Sequence, residues 1–325
     1  IDMDNFKTIN DTRGHDYGDQ VLIAFGQRLD KKLASKHKVA RLGGDEFIIL
    51  MEGIDSDKSI AKEKATILVD EIIQDSNNYY DIFDEQMYVE LSIGITIFDK
   101  NMEDGEILKA ADLALYEVKE SGRNGYRFYE EEMSIKMQQE MLLLHDLKDA
   151  ARNDSFEPFF QPIFHTASDK VSGAEVLMRW RKSDGEIVAA DKFINVLEES
   201  LLIGKVSCML IRKVCCTVAL WIEQGLWKDD WIVYFNLCAL DLKHDDFTTA
   251  FLESCNDYGL SPSLFDFELT ERELFQHADR FSDKMMRLKD AGAKLTIDDF
   301  GTGYASLGYI KNLPVDALKI DRMFI

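Results

Sequence analysis

The sequence predicts two α/β domains in series: an α/β sandwich with a mainly antiparallel sheet, then a TIM-like (β/α) barrel. Three observations predict this. The chain has 325 residues, roughly two domains at about 100–200 residues each. Apolar runs on either side of Gly43-Gly44-Asp45 read as a β-hairpin. From Phe156 onward, strand-like and helix-like stretches alternate, the pattern of repeated strand–helix units.

The elements follow in order. Ile1-Asp2-Met3-Asp4 reads as the tail of a strand already under way. Val21, Leu22, Phe25 and Leu29 form a helical stripe, and Val39–Leu42 and Glu46–Leu50 flank the hairpin turn. Ser59 to Ile73 reads as helix, Tyr88 to Phe98 as strand, and Ile107 to Glu120 as a helix stopped by Gly122. No proline precedes Pro158, so the junction is not a proline-rich spacer. Instead Met133, Met137, Met141, Leu144 and Leu147 recur at helical spacing, which predicts a connecting helix over 130–152. Beyond it, strands are expected near Val171–Leu177, Trp231–Leu237, Leu264–Leu269, Lys294–Asp298 and Ala317–Ile320. Helices such as Val206–Gln224 and Asp279–Ala291 separate them. A TIM barrel takes about 250 residues, more than follow Asn153. Either this fragment lacks one or two final units, or the barrel reading is wrong.

Composition narrows the function. An apolar share of 46% supports real cores. A net charge of −22 argues against a general nucleic-acid binder, which needs a basic face. Small anionic ligands stay open, because a metal with one or two Lys or Arg makes a local positive site. No apolar run approaches the roughly 20 residues of a membrane span, and no signal-peptide pattern is present. The five cysteines contain no C-x-x-C pair and read as reduced, mostly buried thiols. The expected location is the cytoplasm, as a free protein or as the cytoplasmic part of a larger, membrane-attached one. The six histidines show no ligand spacing, so no histidine zinc site is expected.

Asp2 and Asp4 flank Met3 at a strand end, and Asp45-Glu46 sit at the hairpin turn. Carboxylates brought together in this way suit Mg²⁺, a hard cation that keeps substrate phosphates as co-ligands. Phosphoryl transfer then needs mainly alignment and charge neutralisation. With Arg41-Leu42-Gly43-Gly44-Asp45-Glu46-Phe47, Asp2 through Asp11, Gly14-His15-Asp16, Gly18-Asp19, Ser92-Ile93-Gly94, Ala111–Tyr116 and Lys119 through Asn124, residues 1–129 resemble the GGDEF family of diguanylate cyclases. That resemblance implies that Asp2, Asp45 and the Met3 carbonyl hold one or two Mg²⁺ or Mn²⁺ ions with GTP, Glu46 assisting. It implies guanine reading by Asn10 and Asp19 and triphosphate contacts from Lys7, Lys119 and Arg123. Gly43 and Gly44 would let the nucleotide approach the backbone closely. The family's R-x-x-D product-inhibition motif would fall at Ala34-Ser35-Lys36-His37 and is absent. The segment that the family places before Ile1, with its first helix and first strand, is not in this chain.

In the second half, Glu175, Asn236, Glu268, Asp298 with Asp299, and Lys319 recur where barrel strands should end. Strand ends of a TIM barrel converge on one face, so these residues are expected to gather. With Phe160-Gln161-Pro162-Ile163, Gly173 through Trp180, Phe235-Asn236-Leu237, Glu268-Leu269-Thr270-Glu271, Asp298 to Leu307 and Pro314 through Arg322, residues 153–325 resemble EAL-type cyclic di-GMP phosphodiesterases. The signature triplet reads Glu175-Val176-Leu177. By that resemblance Glu175, Asn236, Glu268 and Asp298 bind one Mg²⁺ or Mn²⁺, and Asp298 with Asp299 helps bind a second. Lys319 would orient or deprotonate the attacking water. Glu271 would brace the Asp298–Tyr304 loop, Arg179 would contact a ligand phosphate, and Gln161 would lie on the substrate. The family's later catalytic Glu and its Q-G segment lie beyond Ile325.

The leading expectation is metal-dependent hydrolysis of cyclic di-GMP to linear pGpG, beside a GTP-binding domain. Diguanylate cyclase activity, alone or together with hydrolysis, is the second reading. A catalytically silent receptor of cyclic di-GMP or GTP, signalling through the connecting helix, is the third. The expected partners are cyclic di-GMP, GTP, a second copy in a homodimer and an upstream sensory domain, with no nucleic acid.

Overall fold

The computed structural model describes residues 1–325 apart from 34, 35, 229, 244, 245, 302–312 and 325, and apart from the side chains of 272–281 and 322. Positions 34 and 35 of the expected R-x-x-D site, and the 302–304 part of the expected Asp298–Tyr304 loop, thus lie outside the described residues. The chain divides into two units, Ile1–Gln139 and Glu140–Ile325.

The first unit contains β1 (Asp2–Met3), α1 (Phe6–Arg13), α2 (His15–Leu33), β2 (Lys38–Gly43), β3 (Glu46–Leu50) and α3 (Lys58–Ser76). It continues with β4 (Tyr80–Ile82), β5 (Glu85–Met87), β6 (Leu91–Ile95), α4 (Asp104–Glu120) and β7 (Gly125–Phe128). The helix α5 (Glu131–Arg152) contains the division between the units. Five strands form one sheet in the order β2-β3-β1-β6-β7, antiparallel except for β6 with β7. Val21, Leu22, Phe25, Leu29 and Leu33 put the buried stripe of α2 against Met3, Phe47, Leu91 and Ile93 of the sheet. Each such side chain stabilises by about 1.5–3 kcal/mol when fully buried.

Caps set the helix starts. Asp57 accepts from the N–H groups of Ser59 and Ile60 at the head of α3, and Glu103 with Glu106 forms a capping box on α4. The apolar alternation from Tyr88 to Phe98 becomes strand only over β6, where β1 and β7 supply partners. The helix α1 and the strands β4, β5 and β7 were not expected from the sequence. The helix α1 buries only Phe6, too little for a periodic signal. The β4–β5 hairpin turns on Phe83 and Asp84, both at positive φ (49° and 62°), where Asn-Gly would have announced it.

The second unit contains β8 (Phe156–His165), β9 (Lys170–Arg181), β10 (Ile187–Ala189), α6 (Ile194–Glu199) and α7 (Ile203–Glu223). There follow β11 (Ile232–Asn236), α8 (Asp246–Tyr258), β12 (Phe265–Thr270), α9 (Glu271–Asp290), β13 (Lys294–Phe300) and β14 (Ala317–Ile320). Strands β9, β11, β12, β13 and β14 run parallel in that order, while β8 and β10 pair antiparallel with β9. This is the strand arrangement of a TIM-like barrel wall, with two antiparallel strands at its start. One face of the wall is apolar: Phe235, Phe265, Phe267, Leu295 and Ile297 join Val214 and Val218 of α7 and Phe247 and Phe251 of α8 in one buried cluster. Phe251 meets Phe267 edge-on at 4.9 Å. A strand alternates its faces, so Asp266, Glu268 and Thr270 project opposite to Phe265, Phe267 and Leu269. The helix α9 begins earlier than expected because it follows β12 with no intervening loop.

None of the five cysteines is in a disulfide; Cys215 and Cys255 are buried, and the other three are partly exposed. Among the described residues no helix is long and apolar enough to cross a membrane.

Candidate functional site

In the first unit, register brings the two halves of the acidic motif together: Asp2 on β1 stands opposite Glu46 on β3. Asp45 is in the turn just before β3, with Gly43 closing β2 and Gly44 at φ 52°. No protein atom lies within 4 Å of where a Cβ would stand on Gly43 or Gly44. Asp2 is nearly buried, and its carboxylate pairs with the Lys119 ammonium at 2.7 Å. Burial pushes the Asp2 carboxyl above the usual range; Lys119 opposes this, and the Asp45 and Asp4 charges add to it. Met3 is buried beside it.

Asn10 of α1 reaches the neighbour of Asp19 on α2: a Cβ on Gly18 would lie 2.0 Å from Asn10 Oδ1. Only glycine permits that approach. Lys7 and Asp19 are exposed, and Arg123 follows the end of α4. Asp4, the second carboxylate of the opening pair, does not share the contacts of Asp2. It takes hydrogen bonds from Ser92 Oγ and from the backbone N–H of Asn124.

In the second unit the carboxylates converge. Glu175 sits on β9, Asn236 ends β11, Glu268 is on β12, Asp298 on β13 and Lys319 on β14. Parallel register sets Asn236 beside Glu268 and Asp298 beside Thr270. Asn236 Nδ2 donates to Glu175 Oε1 at 2.9 Å. The Lys319 ammonium lies 2.9 Å from Glu268, 3.2 Å from Asp298 and 3.7 Å from Glu175. Burial pushes the Glu268 carboxyl up to about 7 against the pull of Lys319, with Asp298 and Glu175 adding to the rise. Burial disfavours the charged form of Lys319, but the Glu268 hydrogen bond and the three carboxylates hold it above the ordinary lysine range. The group is a cluster of negative charge organised around one cation.

Asp299 sits at φ 51°, and its N–H donates to Asp298 Oδ1 at 2.8 Å. Burial, then the charges of Asp298 and Asp321, push its carboxyl up. Asp321, which lies in the EAL-like stretch but was expected to have no role of its own, is thus part of this corner. Glu271 is buried and accepts from Gly301 N–H at 2.7 Å. Gln161 stands opposite Glu175 in the β8–β9 register. Arg179, further along β9, donates to the Met178 carbonyl and lies over the Phe159 ring.

Among the described residues, no three acidic, His or Cys side chains are gathered closely enough to hold a metal ion as they stand. Their chemistry nevertheless fits one. In both units a mostly buried carboxylate is held by a lysine ammonium, Asp2 by Lys119 and Glu268 by Lys319. A site that draws a cation into a ring of hard oxygen donors suits Mg²⁺ or Mn²⁺.

Family models match both halves: "EAL domain" over residues 144–325, and "Diguanylate cyclase, GGDEF domain" over residues 1–125. This chain belongs to the EAL family, with a GGDEF domain ahead of the EAL domain. The tandem GGDEF–EAL chain is similar to the signaling protein YkoW of Bacillus subtilis, 35% identical over 330 residues, covering 100% of this chain and 40% of that protein. It is also similar to the bifunctional diguanylate cyclase/cyclic di-GMP phosphodiesterase MucR of Pseudomonas aeruginosa, 33% identical over 328 residues, covering 100% of this chain and 46% of that protein. It therefore spans less than half the length of either relative. Among solved structures, the PaMucR phosphodiesterase in its c-di-GMP complex is 32% identical with a TM-score of 0.52, over 56% of this chain and 73% of that one. The EAL enzyme Bd1971, in its cAMP- and cyclic-di-GMP-bound form, is 26% identical with a TM-score of 0.53, over 58% of this chain and 52% of that one.

Proposed function

We propose that the EAL unit hydrolyses cyclic di-GMP to linear pGpG and that the GGDEF unit binds GTP. The observation that carries the first part is the convergence of Glu175, Glu268 and Asp298 on Lys319 beside Asn236. Glu175, Asn236, Glu268 and Asp298 would hold one Mg²⁺ or Mn²⁺, and Asp298 with Asp299 a second. Ions bound there supply a nucleophile at neutral pH and neutralise charge on the phosphodiester.

The rest belongs to the chain. Hydrolysis forms a bond from water oxygen to phosphorus, breaks the bond from phosphorus to the ribose 3′ oxygen, and leaves that oxygen protonated. Lys319, charged and held by three carboxylates, acts as a hydrogen-bond donor that orients the attacking water. Glu271 fixes the backbone that follows Asp298-Asp299, while Arg179 and Gln161 face the ligand. The relatives add support: MucR bears both activities in its name, and the PaMucR phosphodiesterase was solved with c-di-GMP.

In the GGDEF unit, Asp2, Asp45 and the Met3 carbonyl would hold a metal with the GTP phosphates, Glu46 assisting and Lys7, Lys119 and Arg123 facing the triphosphate. A second reading, cyclase activity, is favoured by the Asp2–Glu46 register, which keeps the acidic turn against β1. It requires two such domains facing one another, hence a homodimer. The test is product analysis of the intact protein, given cyclic di-GMP or GTP with Mg²⁺ or Mn²⁺. Formation of pGpG is expected; intact cyclic di-GMP with either ion would end the phosphodiesterase reading.

A further inference from the structure

We propose that Asp4 is a positioning residue, which sets the turn at 122–124 so that Arg123 faces the phosphates of a nucleotide bound in the first unit. This rests on the GTP reading of that unit.

The opening D-x-D pair divides its work. Asp2 pairs with the Lys119 ammonium, which a metal would displace. The Asp4 side chain is fully buried, at 0% exposure, and both its oxygens are already used. Oδ1 accepts from Ser92 Oγ at 2.7 Å, and Oδ2 accepts from Asn124 N–H at 3.0 Å. Arg123 Nε lies 3.9 Å from Oδ1. The backbone beneath is pinned as well, since Asp4 N–H donates to Glu90 O at 2.9 Å. A carboxylate filled by protein donors is a poor metal ligand and a good anchor.

What it anchors is an improbable piece of chain. The helix α4 ends as Arg123 N–H donates to Val118 O at 3.0 Å, the six-to-one bond of a Schellman motif. Gly122, Arg123 and Asn124 then follow at φ 111°, 64° and 48°. Glycine takes that region freely and asparagine more readily than most, but arginine enters it rarely. The Asn124 N–H bond to Asp4 holds the residue that follows Arg123. Ser92, the other donor, is the register partner of Gly125, where β7 begins. One carboxylate therefore ties the turn to β6, the sheet neighbour of the strand that the turn enters. Lys119 and Arg123 are four residues apart around the end of α4, so the carboxylates of one D-x-D pair each set one of two neighbouring cations.

The rival reading is that Asp4 only stabilises the fold. A double-mutant cycle separates the two. GTP affinity, by calorimetry with Mg²⁺, and guanosine affinity, by ligand-observed NMR, are measured on the full chain and on Asp4→Asn, Arg123→Ala and the double variant. The expected result is that Asp4→Asn weakens GTP by about tenfold, the scale of one hydrogen bond to a charged group. Guanosine should stay within about twofold. The double variant should bind GTP no more weakly than Arg123→Ala alone. Ser92→Ala, which removes one donor from the same carboxylate, should show a smaller loss of GTP with guanosine unchanged, and decides the matter if Asp4→Asn does not fold. Losses that multiply in the double variant, or guanosine and GTP falling in step, overturn the proposal. A wild-type chain that binds neither ligand overturns the nucleotide reading itself, and the proposal with it.

Discussion

The buried carboxylate of Glu271 accepts a hydrogen bond from the backbone N–H of Gly301, 2.7 Å away. Glu271 opens the helix that follows β12, and Gly301 follows the acidic pair at the end of β13. One strand's helix thus fixes the exit of the next strand. Glu271→Ala should lower cyclic di-GMP turnover at least about tenfold, because a hydrogen bond to a charged group is worth about 1.5–3 kcal/mol. Glu271→Gln keeps an acceptor and should recover most of it. Turnover measured on both variants checks this; equal losses would show that the charge, and not the bond to Gly301, matters.

Asp298→Asn preserves shape and still accepts from Asp299 N–H, but removes one of the three charges around Lys319. Hydrolysis of cyclic di-GMP should fall at least about a hundredfold, while thermal stability changes little. Unchanged turnover would remove the two-ion arrangement.

Metal and proton compete for Glu268. Its carboxyl is pushed up to about 7 by burial, so below that pH an incoming ion must displace a proton. The affinity for Mn²⁺ should be flat above about pH 8 and fall about tenfold per unit below about pH 6, with a proton released on binding only in the acidic range. The sign for folding follows from the same shift. A raised carboxyl stabilises the fold below its unfolded value near 4.5, and that contribution is lost as pH rises through 7. Calorimetry in buffers of different ionisation enthalpy reads the released proton directly.

Asp266 projects from β12 opposite the apolar face and is buried, with the Thr296 hydroxyl as its polar neighbour. Burial raises its carboxyl. Stability attributable to Asp266 should therefore be present in acid and lost as pH rises above the ordinary aspartate range. Asp266→Asn should stabilise the protein by about 1 kcal/mol at pH 7 and have little effect near pH 4. Denaturant unfolding at the two pH values checks it.

GTP should bind the first unit at least about tenfold more tightly than ATP, because mispairing a buried base edge costs about 1–3 kcal/mol per unsatisfied group. Asn10 is held against Gly18, next to Asp19, and Asn10→Ala should erase the preference. Equal affinity of the unaltered protein for the two nucleotides would sink the guanine site.

Much of this was legible in the residues. The hairpin around Gly43-Gly44-Asp45 announces itself through turn chemistry, and the parallel strands through apolar runs at regular spacing. The gathering of Glu175, Asn236, Glu268, Asp298 and Lys319 follows once those strands are taken as neighbours. What stayed hidden depends on partners far apart in sequence. Asp4 and Asp2 look alike in a D-x-D pair, and only partners far along the chain, Ser92 and Asn124 for Asp4 and Lys119 for Asp2, set them apart. Asp321 gains meaning only from Asp299, and the Phe83-Asp84 turn gives little signal because Phe83 does not favour the backbone it adopts.

Strand β12 carries Glu268 between Phe267 and Leu269, which are 0% and 2% exposed in the core behind it. Adjacent positions on one strand thus answer to two different demands, packing on one side and charge on the other. Sequence drift in that core is therefore not neutral. A substitution that lets β12 shift by a fraction of an ångström also re-aims the carboxylate, so the geometry of the site is lost before the melting temperature falls. Lineages of this chain should explore new core residues mainly in compensating pairs, and the strand should age more slowly than the helices that cover it.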